Sequence, residues 1–348
     1  MGVFAMVPEA VREAVPALQQ ACKDLGVPLL GAVFPALLTD NGLQTDGIWL
    51  MRLDSMPPHF LVGNLPADLN SALPRLRRCA GDVARFTAQT RRSLFLVFDS
   101  MLPCIGSLMT AICADLSEQL RCWGVNAGSE TFQPMPCLFD NTQCVGNAVL
   151  GLSIDNPAVA VLGHGYPVSK ALMKATATHG NCIDFIDGSP ALSVYQDIVL
   201  AEYGVELTRE NFYAYGVHFP FGVITALDVL VRIPVGLTDE GAIYCVGEVP
   251  PNSSLRVLRA PTLDSSACVS NLSQRLSGSV TGRPLTAFYC AGRRMHFGED
   301  TALELAQLAS SCQASTLRGA LTLGELDTID AQGLLFPRFH NAAIVCIA

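Results

Sequence analysis

Charge is scarce in this chain. Only 15% of its 348 residues are Asp, Glu, Lys or Arg, while half are hydrophobic. That balance excludes a disordered chain, because so much apolar side chain can bury enough surface to offset the entropy of ordering. Positive charge is scarcer still. The net charge of -9 repels nucleic acid and anionic membrane surfaces, so neither is an expected partner. A leader segment is not evident either: Met1 to Ala5 is weakly apolar, and Glu9, Arg12 and Glu13 follow at once, where an export signal needs an unbroken apolar stretch. The most apolar window, Leu94 to Leu116, is interrupted by Asp99, Pro103 and Asp115, too often to cross a bilayer. The expected location is cytoplasmic.

Several catalytic signatures are missing. There is no Gly-x-Ser-x-Gly elbow, no Walker loop, no Gly-x-Gly-x-x-Gly and no His-Glu-x-x-His, which argues against common hydrolase, nucleotide-binding and metalloprotease sites. The 13 cysteines include no Cys-x-x-Cys, which weakens a zinc-ribbon or thioredoxin-like reading. In a reducing compartment most of them are expected to be small buried hydrophobes. The pattern suits a binding protein better than an enzyme.

What is present is a dense alternation of elements. Apolar spacing predicts a helix over Pro8 to Leu25, strands over Val27 to Phe34 and Gly47 to Leu53, and a helix over Pro66 to Cys79 that Pro74 kinks or splits. Arg75, Arg77 and Arg78 then lie near that helix's end, where its dipole favours cations. A strand follows at Ser93 to Phe98 and a helix at Ser107 to Leu120. Val149 to Ile154 and Ala158 to Leu162 read as a hairpin around Asp155-Asn156-Pro157. Cys182 to Ile186 reads as a strand, Asp187-Gly188 as a turn, Ser189 as a helix cap and Pro190 as the first helical residue, with Tyr195 on the new helix. After Tyr203 strands dominate: Val229 to Ile233, Ala242 to Val249, Leu255 to Arg259, Leu285 to Tyr289 and Ala342 to Ala348, with helices near Asp264 to Leu276 and Glu299 to Cys312. The expected fold is α/β in the first half and α+β in the second, with mixed sheets flanked by helices and a boundary near residue 200 separating 1–200 from 201–348.

Several residues are candidates for chemistry. His164 lies in Gly163-His164-Gly165-Tyr166, past a strand, where flanking glycines admit a ligand or backbone. It is a ligand contact or metal ligand there, or a turn histidine. His218 sits between apolar and aromatic neighbours in Val217-His218-Phe219-Pro220-Phe221-Gly222, a setting for a satisfied core histidine or for an axial haem ligand. His179 and Cys182 lie three residues apart, but a pair falls short of a zinc site. Arg293 and Arg294 follow a strand and a glycine, which suits an anionic group or a surface ion pair. Glu325 could complement an amine. Cys137 and Cys290 are the best thiol nucleophiles, Cys290 having two arginines nearby to lower its pKa.

Together these segments resemble the FIST sensory domain family. Ile186-Asp187-Gly188-Ser189-Pro190-Ala191 with Tyr195 resembles the segment joining the family's two halves. Phe219-Pro220-Phe221-Gly222 followed by Val231-Arg232-Ile233-Pro234 resembles its aromatic-Pro-x-Gly and Arg-bearing strand. Gly247-Glu248-Val249-Pro250, Cys290-Ala291-Gly292-Arg293, Gly324-Glu325 and Phe339-His340-Asn341 complete the pattern. It is strongest from about residue 180 to 348. Asn126-Ala127-Gly128-Ser129 and Phe139-Asp140-Asn141 resemble parts of the N-terminal half. There the usual Gly-Cys-Ser/Thr turn is replaced by Gly31-Ala32-Val33-Phe34, and the first 25 residues leave little room for the opening strand.

The resemblance implies a sensor that binds a small molecule such as an amino acid. Some members carry haem, sense nitric oxide and regulate a separate histidine kinase or cyclic-di-GMP enzyme. With no kinase or cyclase segment here, the output is expected to pass to such a partner, and exposed strand edges suit a homodimer. The expected ligand-binding residues are His164, His218, Arg293, Glu325 and His340, with His164 and His218 as candidate axial ligands of a haem. The competing expectation is an enzyme using a Cys or carboxylate on a small anionic substrate. The cleft between the halves is the expected site.

Overall fold

The computed structural model describes residues 1–116, 120–155, 160–332 and 334–348. Three β-α-β units form its frame. Gly2–Pro8 pairs in parallel with Leu29–Phe34 across the helix Val15–Asp24. Ser93–Asp99 pairs in parallel with Arg121–Ala127 across the helix Ile105–Leu116. Pro284–Cys290 pairs in parallel with Thr316–Thr322 across the helices Ala291–Phe297 and Thr301–Ser311. Parallel partners need such crossovers and are covered on both faces, which is why Ser93–Asp99 is buried along its whole length.

Each unit seeds a mixed sheet. The first adds Trp49–Leu53 at one edge and Leu138–Asp140 and Cys144–Val145 at the other. The second runs from Leu334–His340 through Glu325–Ala331 to the parallel pair, then to Val149–Ile154 and His59–Val62. The third runs from Ala160–Gly163 through Ile344–Ile347 to the parallel pair, then to Leu37–Thr39 and Gly42–Gln44. A fourth sheet holds Phe221–Ile224, Val229–Arg232, Ser254–Val257, Met173–His179 and Cys182–Ile186, continuing to Ile243–Cys245 and Pro234–Leu237. The expected mixture of α/β and α+β is what the chain forms.

The second and third sheets each take strands from both halves of the sequence. Residue 200 itself lies inside the helix Ala191–Tyr203. The halves are therefore interleaved. Phe4, Phe95, Trp123 and Phe288, from three of the sheets, meet in one aromatic cluster, with Phe95 at 4.4 Å from Trp123 and 5.9 Å from Phe288 between ring centroids. Such pairs contribute about 0.5–1.5 kcal/mol each beyond their burial. Backbone approach is equally tight at Gly319, whose φ is +152° and where a Cβ would lie 1.7 Å from the Ala287 carbonyl oxygen.

The structure corrects several sequence readings. Gly2–Pro8 is a strand, so the first 25 residues do hold an opening strand. The helix expected over Pro66 to Cys79 runs from Leu69 to Gln89 through Pro74, so Arg75, Arg77 and Arg78 lie in its middle and gain nothing from its end. Val149–Ile154 and Ala160–Gly163 belong to different sheets. They form no hairpin, and residues 156–159, where its turn was expected, lie outside the described residues, as do residues 117–119 of the expected helix to Leu120. Ser189 caps nothing. It pairs with Ile186 across Asp187 and Gly188, both at positive φ, and Pro190 takes the cap position of the next helix. Among the described residues no helix is long and apolar enough to cross a membrane.

Candidate functional site

A cavity of about 670 Å³ forms a groove where the two halves of the sequence meet. One wall is the start of the helix Ile105–Leu116, with Gly106, Ser107, Met109 and Thr110. The other is the fourth sheet with its connecting segments, which supply Val223, Thr225, Leu230, Arg232, Glu248 and Val249, and Phe339 lines it as well. Its volume is that of small-molecule sites, and its mainly apolar lining with a few convergent polar groups is their usual composition.

Two charged residues define its chemistry. Arg232 ends a tight hairpin opposite Phe221 and is 4% exposed. Its guanidinium donates to the main-chain oxygens of Glu248 at 2.9 Å, Val231 at 3.0 Å and Phe339 at 2.8 Å, and lies 5.4 Å from the Phe339 ring centre. Among the described residues no carboxylate pairs with it. Burial pulls its pKa down to about 10, which still leaves it charged at neutral pH. A buried guanidinium served only by neutral carbonyls is a ready partner for an anion.

Glu248 faces the same groove. Its carboxylate accepts from the Ser107 backbone N–H at 2.8 Å and the Ser107 hydroxyl at 2.5 Å, at the helix start where negative charge is favoured. Gly247 makes this possible. At φ +88°, a Cβ there would come within 2.6 Å of the Phe339 ring, so only glycine lets the chain turn between Arg232 and Glu248.

A second polar cluster lies behind this groove. The rings of His164 and His340 stack at 5.5 Å. His164 Nδ1 accepts the Tyr166 N–H at 3.1 Å, and burial lowers its pKa to about 4. His340 is fully buried, neither ring nitrogen has a hydrogen-bond partner among the described residues, and Nε2 stands 3.7 Å from Asp228, which itself pairs with Arg338. Burial drives His340 toward its neutral form.

Arg293 belongs to this buried region. It pairs with Glu304 and donates to His164 O at 2.7 Å, Ala342 O at 3.2 Å and Ser266 Oγ at 3.1 Å. With its donors engaged and no exposure, Arg293 holds the fold together, which corrects its expected role as an anion receptor. Its neighbour Arg294 pairs with Glu130. Glu325 is corrected likewise. Burial raises its pKa to about 8, and it is held by Thr322 Oγ1 at 2.6 Å and the Ala343 N–H at 3.3 Å, so at neutral pH it is mostly an uncharged acid with no negative charge to offer an amine.

His218 lies apart from His164. Its Nδ1 is 2.6 Å from Nδ1 of His296, whose Nε2 in turn meets the Pro261 oxygen at 2.8 Å. The structure thus brings together His164, His340 and Arg293, and leaves His218 in a separate histidine pair. These residues do not fit a haem held between His164 and His218. Nδ1 of each ring is engaged, each ring packs against a second imidazole, His340 for His164 and His296 for His218, and neither ring lines the groove.

The thiol enzyme fares no better. Cys137 and Cys290 are fully buried, and burial raises both thiols well above their ordinary pKa. Cys290 borders a small apolar cavity of about 30 Å³, room for about one water. Arg293, expected to activate it, is neutralised by Glu304.

Two family descriptions match the sequence: the FIST N domain over residues 2–189 and the FIST C domain over 191–326. The chain belongs to the FIST family. FIST domains are in general sensory, ligand-binding modules of signal transduction. No curated protein matches it. The border between the FIST N and FIST C regions falls at Pro190, on the turn that leads into the helix Ala191–Tyr203. The groove is built from both, with Ser107 on the FIST N side and Arg232 and Glu248 on the FIST C side. Sequence reasoning quoted Arg232 and Glu248 within family segments and missed that they line one groove. The available signal was an arginine inside the apolar strand Val229–Arg232, since an isolated charge in a buried strand is costly unless it has a use.

Proposed function

We propose that this FIST protein is a cytoplasmic sensor whose groove takes a zwitterionic small molecule of the α-amino acid class. The observation that carries the reading is Arg232, a buried guanidinium at the groove with no carboxylate among the described residues. A ligand carboxylate would complete it. Glu248, on the same wall, supplies the negative charge for the ligand's ammonium group, and Met109, Val223 and Leu230 supply apolar surface for its side chain. Binding would compete with Ser107 for Glu248 and so loosen the contact between the FIST N helix and the FIST C segment. That gives the ligand different affinities for a closed and an open groove, which is what signalling to a separate protein requires.

The test is isothermal titration of the protein with amino acids, their decarboxylated amines and their deaminated acids. Amino acids should bind, and loss of either charged group should weaken binding about 10–100-fold, the worth of one charge-assisted hydrogen bond. Arg232→Lys should reduce the discrimination against amines, and Glu248→Gln the discrimination against acids. If no amino acid binds, or if both variants bind like the wild type, the reading is wrong.

A further inference from the structure

The geometry points to a divalent-metal site at the tip of the hairpin formed by Met173–His179 and Cys182–Ile186, with His179, Cys182 and Asp184 as ligands and zinc as the ion that suits them. His179 and Cys182 are cross-strand partners in the antiparallel register. The two-residue turn between them opens on Gly180 at φ +59°, which draws the two strand ends close together. Asp184 follows Cys182 by two residues and so shares its face of the sheet. One ligand atom from each residue lies within 4.8 Å of the others. Asp184 already meets His179 Nδ1 at 2.8 Å.

The donor set fits the ion. Imidazole nitrogen, thiolate sulfur and carboxylate oxygen are the three ligand types of protein zinc sites, and a thiolate with a carboxylate balances the charge of a divalent cation. The sequence spacing alone supplied two ligands. The fold supplies the third, and water can take the fourth position. His179 is largely exposed and Asp184 partly so, while Cys182 is buried beneath them, so an ion can enter from solvent and bind the sulfur from above. Burial, then Asp184, raises the thiol's pKa to about 11. The metal must therefore displace a proton on binding. The site adjoins the groove through Gly180, which lines it and accepts the Val249 N–H at 3.0 Å.

Cobalt(II) titration of the reduced, metal-free protein tests the assignment, because a cobalt–thiolate bond gives an ultraviolet charge-transfer band. One equivalent of cobalt should produce the band and one equivalent of zinc should abolish it. Cys182→Ser should remove it. His179→Ala and Asp184→Asn, at more exposed positions where folding is not at stake, should each weaken binding at least ~10-fold, as loss of even an indirect metal contact does. No band, or a band unchanged in His179→Ala and Asp184→Asn, overturns the site. The readout is the metal's own spectrum, so it stands or falls apart from the amino-acid reading.

Discussion

Replacing Glu304 by glutamine separates a structural arginine from a ligand-binding one. Glu304 accepts from Arg293 Nε at 2.7 Å, from a second Arg293 nitrogen, and from the Tyr289 hydroxyl at 2.6 Å. Both members of the pair are fully buried. Glutamine keeps the shape, but it leaves the guanidinium without a counter-charge and turns an NH₂ toward donors. Breaking a buried pair in this way costs about 3–5 kcal/mol. At about 2 °C per kcal/mol for a large chain, the thermal midpoint should fall by about 6–10 °C. Removing both charges as Arg293→Met with Glu304→Leu should cost less than either single change, because no lone charge remains. Urea denaturation of the wild type, Arg293→Met, Glu304→Leu and the double variant gives the cycle. A Glu304→Gln protein within about 1 kcal/mol of wild type would refute the argument, since Arg293 would then have no need of its partner and would be free to serve a ligand.

Glu325 predicts a pH dependence. Its folded pKa of about 8 exceeds the unfolded value of about 4.3, so its contribution is full below the unfolded pKa and is lost as pH rises through 8. His164, with a folded pKa of about 4, acts in the opposite direction, destabilising the fold as pH falls below about 6.5. His218, His296 and His340 are lowered by burial in the same direction as His164, and all four act alike in Glu325→Gln, so between pH 6.5 and 8 the stability of the wild type should fall by about 1.5 kcal/mol relative to that variant, read from denaturation midpoints. An equal slope in both proteins would show that Glu325 is ionised in the fold. Haemin titration should give no Soret shift that His164→Ala or His218→Ala abolishes; a shift lost in either variant would restore the haem expectation.

Much of the fold was legible because the strands carry their own signal. Ser93–Asp99 and Pro284–Cys290 are apolar runs buried on both faces, and the helices Cys268–Leu276 and Thr301–Ser311 show ordinary amphipathic spacing. Gly2–Pro8 was lost because a buried parallel strand has no alternation to mark it. The sheet assignments were not legible at all: Val149–Ile154 and Ala160–Gly163 are adjacent in sequence, yet each finds its partners among distant residues. The candidate site divides in the same way. His164, His340 and Glu325 were singled out for their chemistry, and they do occupy unusual surroundings, but burial has made them neutral. Arg232 was marked only by its place in an apolar strand and Glu248 not at all, because the lack of a carboxylate paired with Arg232 among the described residues and the placing of Glu248 on the groove are properties of the assembled fold.

Phe339 and His340 are consecutive residues of one strand, Leu334–His340, and so point to opposite faces. The first lines the groove, and the stacked histidines include the second. The strand is thus a wall one residue thick between the groove and the buried cluster that holds His164, His340 and Arg293.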